Sequence, residues 1–249
     1  MATYSVLTYN IGGYEVLHEV RKPSPNAEYI YVTDDRSLTS STWTMVYVDN
    51  PYPQDPFWLC YQIRFNPFNY VNTDIVLRID GSMSIGGDTD WLIDEFVKGE
   101  YDIALLPHPH RQTASDEYDA WVRTRGTKRE QANRVLGELS KIWNVRNDKG
   151  LYAFGFMIQR NNGVNNALNK EILNMLLSLA PTDKMIERCD QVVGSVAINL
   201  FELKPMMLRY NTVYGRIIAL HPHHSTATIG VPRNNFPPYF HKVQYPWAF

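Results

Sequence analysis

Cysteine is nearly missing: Cys60 and Cys189 are the two thiols in 249 residues. That excludes a disulfide framework and makes a reducing compartment the expectation, so a cytoplasmic location is expected. An excess of charge of one sign is lacking too. Lys and Arg number 24 against 26 Asp and Glu, for a net charge of -2 and a pI near 6.4. Such a balance gives no chain-wide attraction to nucleic acid or to an anionic membrane, and neither is expected as a partner. The one basic cluster, "RTRGTKRE" at 123–130, carries its own Glu130 and reads as a solvated loop and helix start. No apolar run approaches the roughly 20 residues that span a bilayer, so no transmembrane segment is expected. The opening "MATYSVLTYN" alternates like a strand and has neither the charged n-region nor the apolar h-region of a signal peptide. Internal repeats and low-complexity linkers are absent as well.

What the chain does have is apolar residues, 44% of the total, enough for a sizeable core in one unit. Aromatic residues make up 13%, with sixteen Tyr, so ring-lined clefts are expected. Runs rich in β-branched and aromatic residues predict strands at 3–11, 28–35, 42–48, 74–80, 102–108 and 150–160. Helical patterns lie between and after them. Asp55 and Pro56 form an N-cap and N1 pair, followed by Phe57, Tyr61 and Phe65 at helical spacing until Pro67. "DTDWLIDEFVKG" opens with acids, closes on Gly99 and predicts a helix over 90–98. "REQANRVLGELSKIWN", "NALNKEILNMLLSLA" and "CDQVVGSVAINLF" predict three more, whereas 108–130 is taken as a loop leading into the first of these. Strands alternating with helices predict an α/β sandwich that binds ligands beyond the carboxyl ends of its strands.

At one such end stands "DIVLRIDGSMSI", residues 74–85. The strand runs into Asp80, Gly81 lets backbone approach closely, and Ser82 shares a face with Asp80 by the two-residue period. A carboxylate and a hydroxyl on one face suit a hard divalent ion. A turn-forming role for Asp80 ahead of glycine is the alternative. "DTD" at 88–90 is a rival metal motif, and helix capping is its more ordinary use. Arg64 suits a bidentate grip on phosphate or sugar oxygens, or else a salt bridge to a neighbouring acid.

Together these stretches resemble the GT-A fold glycosyltransferases, above all family 8 and the related hexosyltransferase-like domains of polysaccharide biosynthesis. The resemblance is carried by "LCYQIRFNPFNYVNTDIVLRIDGS", an aromatic helix with a basic residue, a Pro and a strand ending in Asp. It implies an α/β fold with a GT-A-type, Rossmann-like mixed central sheet flanked by helices. It implies one domain over 1–249, with 1–110 as the nucleotide-sugar-binding half and 111–249 as the acceptor-binding half. The implied activity is metal-assisted transfer of a hexose from a nucleotide diphosphate sugar, a UDP-sugar above all, to a glycan or glycoconjugate hydroxyl, with retention of configuration. "LTYNIGGYE" is similar to the strand and loop that cradle the nucleotide, which implies donor-binding roles for Thr8, Tyr9, Asn10 and Tyr14. "YVTDD" nominates Asp34 and Asp35, and "LLPHPHR" nominates His108 and His110 as donor-side residues and Arg111 as catalytic. Arg64, Asp80, Gly81 and Ser82 complete the donor set. "RCDQVVGSVAIN" is similar to an Asp-Gln motif at the sugar-transfer site, which implies catalytic roles for Asp190 and Gln191. The metal, Mn²⁺ or Mg²⁺, falls to Asp80, Ser82 and a late histidine, His221.

The chain departs from the family where Ser82 stands in place of a second acidic ligand. For inversion in place of retention, Asp190 or Glu117 would be the base. Two other classes stay open. A binding module would keep the donor cleft and have lost catalysis, and a zinc hydrolase would use the histidines of "HPHH" at 221–224.

Overall fold

The computed structural model describes residues 2–51, 56–124, 129–144, 150–179, 190–214 and 216–221. Asp55, the centre of the basic cluster, Pro181, Cys189 and every histidine after His221 lie outside the described residues.

The β-branched and aromatic runs become strands because both faces of the sheet they form are covered. β1 (Tyr4–Asn10), β2 (Ala27–Thr33), β3 (Thr44–Tyr47), β4 (Ile75–Ile79), β6 (Ile103–Pro107), β7 (Tyr152–Arg160) and β8 (Met206–Met207) join in the order β3-β2-β1-β4-β7-β6-β8. β1 is buried at all seven positions and β4 at all five, as expected for central strands that read as continuous apolar runs. β1 to β4 run parallel, and β7 lies antiparallel to both β4 and β6. The sheet is therefore mixed. A small second sheet pairs β5 (Met83–Ile85) with β9 (Ile218–Leu220).

Strand alternation divides the core. Tyr4, Val6, Ile75, Leu77 and Ile79 face one side, with α2 (Asp90–Lys98) and the small sheet. Leu7, Tyr9 and Val76 face α1 (Pro56–Phe65) on the other. Under β6 and β7 the same side is filled by α1, α3 (Ala114–Thr124), α4 (Arg129–Ser140), α5 (Gly163–Leu179) and α6 (Asp190–Leu200). A short helix, α7 (Tyr210–Val213), leads toward β9. Among the described residues no helix is long and apolar enough to cross a membrane.

The fold is α/β with a seven-stranded mixed sheet flanked by helices, as expected. One expectation is corrected: 108–130 is not all loop, because Ala114–Thr124 is helical. Thr113 and Asp116 cap its start reciprocally, each side chain accepting the other's backbone N–H at 3.1 and 3.0 Å.

The strand order places a topological switch beside β1. From β1 the chain goes to β2 on one flank and β4 on the other, which opens a crevice at the carboxyl ends of β1 and β4.

Candidate active site

Four of the predicted residues converge at that crevice. Tyr9 is the last but one residue of β1, Asp80 follows β4, Arg64 lies in the last turn of α1, and Asp190 opens α6. Arg64 Nε donates to the Tyr9 hydroxyl at 2.7 Å and Nη2 to Asp80 Oδ1 at 2.5 Å. Its Nη1 donates to Asp190 Oδ2. One guanidinium thus ties three chain segments together, each through a different nitrogen.

A fifth member was not among the predicted residues. Arg78 on β4 is fully buried, donates from Nη2 to the Phe154 carbonyl at 2.6 Å and places Nη1 3.5 Å from Asp80 Oδ1. Its Nε has no hydrogen-bond partner among the described residues. A strand residue two positions before Asp80 shares its face, so "RID" carried the signal that the apolar setting of the strand obscured.

The electrostatics follow from this crowding. Burial pulls the Arg64 guanidinium down, but Asp80 and Tyr9 outweigh it and hold it above its usual range. Arg78 is drawn down to about 10 by burial and by its neighbour Arg64. Burial pushes the Tyr9 phenol up to about 12 against the opposing pull of Arg64, and raises the Cys60 thiol to about 12. Two guanidiniums, Arg64 and Arg78, face two carboxylates, Asp80 and Asp190, so the cluster's formal charges cancel.

Glycines make room for these side chains. A Cβ on Gly155 would lie 2.7 Å from Met83 Cε and 3.1 Å from Asp80 Oδ2. A Cβ on Gly81 would strike the Tyr9 carbonyl at 2.8 Å, so the turn after Asp80 presses against the end of β1.

The remaining predicted residues sort into other groups. Thr8 points to the sheet face opposite Tyr9 and is buried, with no hydrogen-bond partner for its Oγ1 among the described residues. Asn10 organises the loop after β1, donating to the Glu15 carbonyl at 2.5 Å and accepting its N–H at 3.0 Å. In that loop Gly12 and Gly13 take φ of 73° and 64°, and Asp34 accepts the Gly12 N–H at 2.9 Å. Tyr14 packs edge-on against Phe57, their ring centroids 5.9 Å apart. Asp35 is held below its usual carboxyl range by the Ser37 hydroxyl and N–H. The side chain of Gln191 follows Asp190 on α6 and is half-buried.

His108, Arg111 and Glu117 make a second cluster at the carboxyl end of β6. His108 Nδ1 accepts the backbone N–H groups of His110 and Arg111 at 3.2 and 3.0 Å, which fixes the neutral ring with its proton on Nε2. Nε2 lies 3.5 Å from Glu117 Oε2, and Arg111 Nε lies 2.7 Å from the same oxygen. Burial, with the Arg111 charge beside it, lowers the imidazole to about 3. His110 is exposed, its ring edge-on to His108. Glu117, weighed as a base for inversion, is buried and paired with Arg111.

Of the three predicted metal ligands, Asp80 is the charged one, with its side chain 31% exposed. Ser82 is buried and does not share a strand face with Asp80 as expected, because residues 80–83 form a turn in which the Asp80 carbonyl accepts the Met83 N–H at 2.9 Å; the Ser82 carbonyl accepts the His221 N–H at 2.8 Å. The His221 ring pairs through Nε2 with Ser84 Oγ at 2.8 Å and stacks on His18 at 3.7 Å. Among the described residues no group of three or more His, Cys, Asp or Glu side chains is set to hold a metal ion. Of the three predicted ligands, Asp80 would supply the charged oxygen ligand to a cation. The rival "DTD" segment is spent on packing: Asp88 accepts the Asp90 N–H at 2.9 Å, and Asp90 accepts from Tyr4 at 2.8 Å.

No protein-family profile matches the sequence, and no curated protein matches it significantly. Among solved structures the chain is similar to the apo form of the bifunctional glycosyltransferase WbbM, at 12% identity with a TM-score of 0.48. That match covers 84% of this chain and 39% of the other, so the chain spans well under half of WbbM's length. It is also similar to apo mouse xyloside xylosyltransferase 1, at 8% identity and a TM-score of 0.43, over 84% of this chain and 86% of that one. No residue's role is transferred from either.

Proposed function

We propose that the protein is a glycosyltransferase that moves a hexose from a nucleotide diphosphate sugar, a UDP-sugar above all, to a hydroxyl of a glycan or glycoconjugate. The observation that carries this reading is the Arg64–Asp80–Arg78 cluster at the switch point between β1 and β4. The order of motifs along the sequence supports it independently.

In this reading the nucleotide lies along the loop after β1, shaped by Asn10, Gly12 and Asp34. The diphosphate sits over Arg64 and Arg78, whose fixed charges stabilise the negative charge that grows on the leaving phosphate as the glycosidic bond breaks. Asp80, with Ser82 beside it, would hold a Mn²⁺ or Mg²⁺ ion, which supplies Lewis-acid assistance of several kcal/mol. Arg64 also orients Asp190, so the carboxylate is held at the edge of the donor site toward the sugar. Gln191 follows on the same helix turn. The family resemblance favours retention, in which the departing phosphate takes the acceptor hydroxyl's proton. His108, neutral and held by two backbone N–H groups, shapes the acceptor side together with Arg111.

The test is a panel of UDP-glucose, UDP-galactose, UDP-N-acetylglucosamine and UDP-xylose with Mn²⁺, read as slow release of UDP without acceptor. Release from at least one donor, abolished by Asp80→Ala, is expected. Binding of donors without release would identify a module that keeps the cleft and has lost catalysis, the reading that Ser82 in place of a second acidic ligand favours.

A further inference from the structure

A groove of about 550 Å³ runs between α1 and α5, outside the cluster of charged residues, and nothing in the donor reading uses it. Trp58, Gln62 and Phe65 recur at helical spacing on one face of α1 and form one wall. The opposite wall is Asn166, Asn169, Lys170, Leu173 and Asn174 from α5, and Asn66, Asn69 and Asn161 close the end. Among the described residues no carboxylate lines it, and Lys170 is its one charged residue.

Several of the amides are not spent on the fold, although Asn166 donates to Asn161 at 3.4 Å. Asn66 stands at the N-cap of the 3-10 turn Pro67–Asn69, a position where its side chain would ordinarily bond the first N–H groups, yet it makes no capping bond. Among the described residues the side-chain amides of Gln62, Asn69 and Asn174 also make no hydrogen bond within the protein. Asn169 differs, since its Oδ1 accepts from Gln159 at 3.0 Å and is fixed from below.

Each amide offers two donors and a carbonyl acceptor on one short arm. Several of these beside an indole ring match the chemistry of a sugar, which presents hydroxyls around its rim and C–H groups on its faces. A nearly uncharged lining excludes phosphate or a polyanion as the intended occupant, because nothing there compensates their charge. We infer that this groove binds a neutral oligosaccharide, the part of the acceptor glycan away from the reacting hydroxyl. The binding stands on the groove alone; its role as an acceptor subsite rests on the glycosyltransferase reading.

The experiment is calorimetric titration of the full chain, without donor, with cellohexaose, maltohexaose, mannohexaose and chitohexaose, and with a galacturonate hexamer as an anionic control. At least one neutral hexamer is expected to bind with a Kd between about 1 μM and 1 mM, the range of ordinary enzyme–substrate recognition. Trp58→Ala and Asn174→Ala are each expected to weaken it by roughly tenfold, about 1.4 kcal/mol. UDP binding is unchanged in both variants, and Arg64→Ala loses UDP binding while keeping the oligosaccharide. Asn174→Ala, at an exposed helix position, keeps the test alive should Trp58→Ala fail to fold. Failure of all four neutral hexamers to bind, preference for the galacturonate, or equal affinity in both variants overturns the inference and leaves the donor reading untouched. Oligosaccharide binding without release of UDP from any donor would retain the groove and remove its role as an acceptor subsite.

Discussion

Arg64 Nη2 lies 2.5 Å from Asp80 Oδ1, joining the last turn of one helix to the end of the strand that follows it in sequence. Both groups sit where the sheet changes direction, and the same guanidinium holds Tyr9 and Asp190. Removing the carboxylate should therefore leave two crowded cations and no anchor for the proposed metal. Asp80→Ala is expected to lower donor turnover by at least about 10²-fold, on the scale of lost electrostatic stabilisation. Steady-state UDP release checks it, and near-normal turnover would remove Asp80 from its assigned role.

Arg78 separates stability from binding. It is a fully buried guanidinium with an Nε that no described group satisfies. Removing one partner of a buried ion pair is costly where it strands the other charge, but Asp80 keeps Arg64 when Arg78 is removed, and losing a buried, partly unsatisfied charge to an apolar residue of similar volume is then neutral or stabilising. Arg78→Met is thus expected to hold or raise the thermal midpoint while weakening UDP binding by about tenfold or more, the worth of a charge-assisted hydrogen bond. A variant that melts early and still binds UDP normally would mark Arg78 as structural alone.

Gly155 tests whether Asp80 must keep its position. A methyl group there would meet Met83 Cε at 2.7 Å and Asp80 Oδ2 at 3.1 Å. Gly155→Ala is expected to cost about 1–3 kcal/mol of stability through overpacking and to lower turnover as the carboxylate is displaced. Chemical denaturation and donor hydrolysis measure the two separately, and full activity in the folded variant would contradict the close fit.

The His108 imidazole provides a pH dependence with a defined sign. Its folded value near 3 lies below the ordinary 6.5, so between those limits the unfolded chain binds the proton and the folded one does not. Stability therefore rises with pH across that window and is lost as pH falls from about 6.5 toward 3. His108→Asn is expected to show a smaller drop in melting temperature between pH 7 and pH 4.5 than the parent protein. Equal drops would show that another group governs the acid limb.

Metal dependence can be read from stability. A UDP-sugar is expected to raise the melting temperature more with Mn²⁺ than with a chelator present, because ligand and ion are linked through binding to the folded state. An identical shift in both conditions would assign charge compensation to Arg64 and Arg78 without an ion.

Much of the fold was legible because its signals are local. β1, β4 and α2 each announce themselves by apolar runs and by acids or glycine at their ends, within a residue or two of the observed limits. α3 escaped notice because its apolar contacts are few and widely set, Tyr118 and Trp121 foremost, although the pair Thr113 and Asp116 marked its start. Arg64, Asp80 and Asp190 were singled out one by one, yet no periodicity could show that a single guanidinium holds both carboxylates across 126 residues. Arg78 was hidden for a different reason. A buried cation inside an apolar strand is energetically unfavourable without partners, and its partners come from β7 and from the turn beyond β4.

The most direct measurement is a crystal structure of the protein with Mn²⁺ and a UDP-sugar from the donor panel. Diphosphate oxygens within hydrogen-bond distance of the Arg64 and Arg78 guanidiniums, with the ion on Asp80, are the expected result. A diphosphate bound away from the β1–β4 crevice, with the Arg64–Asp80 pair untouched, would contradict the account.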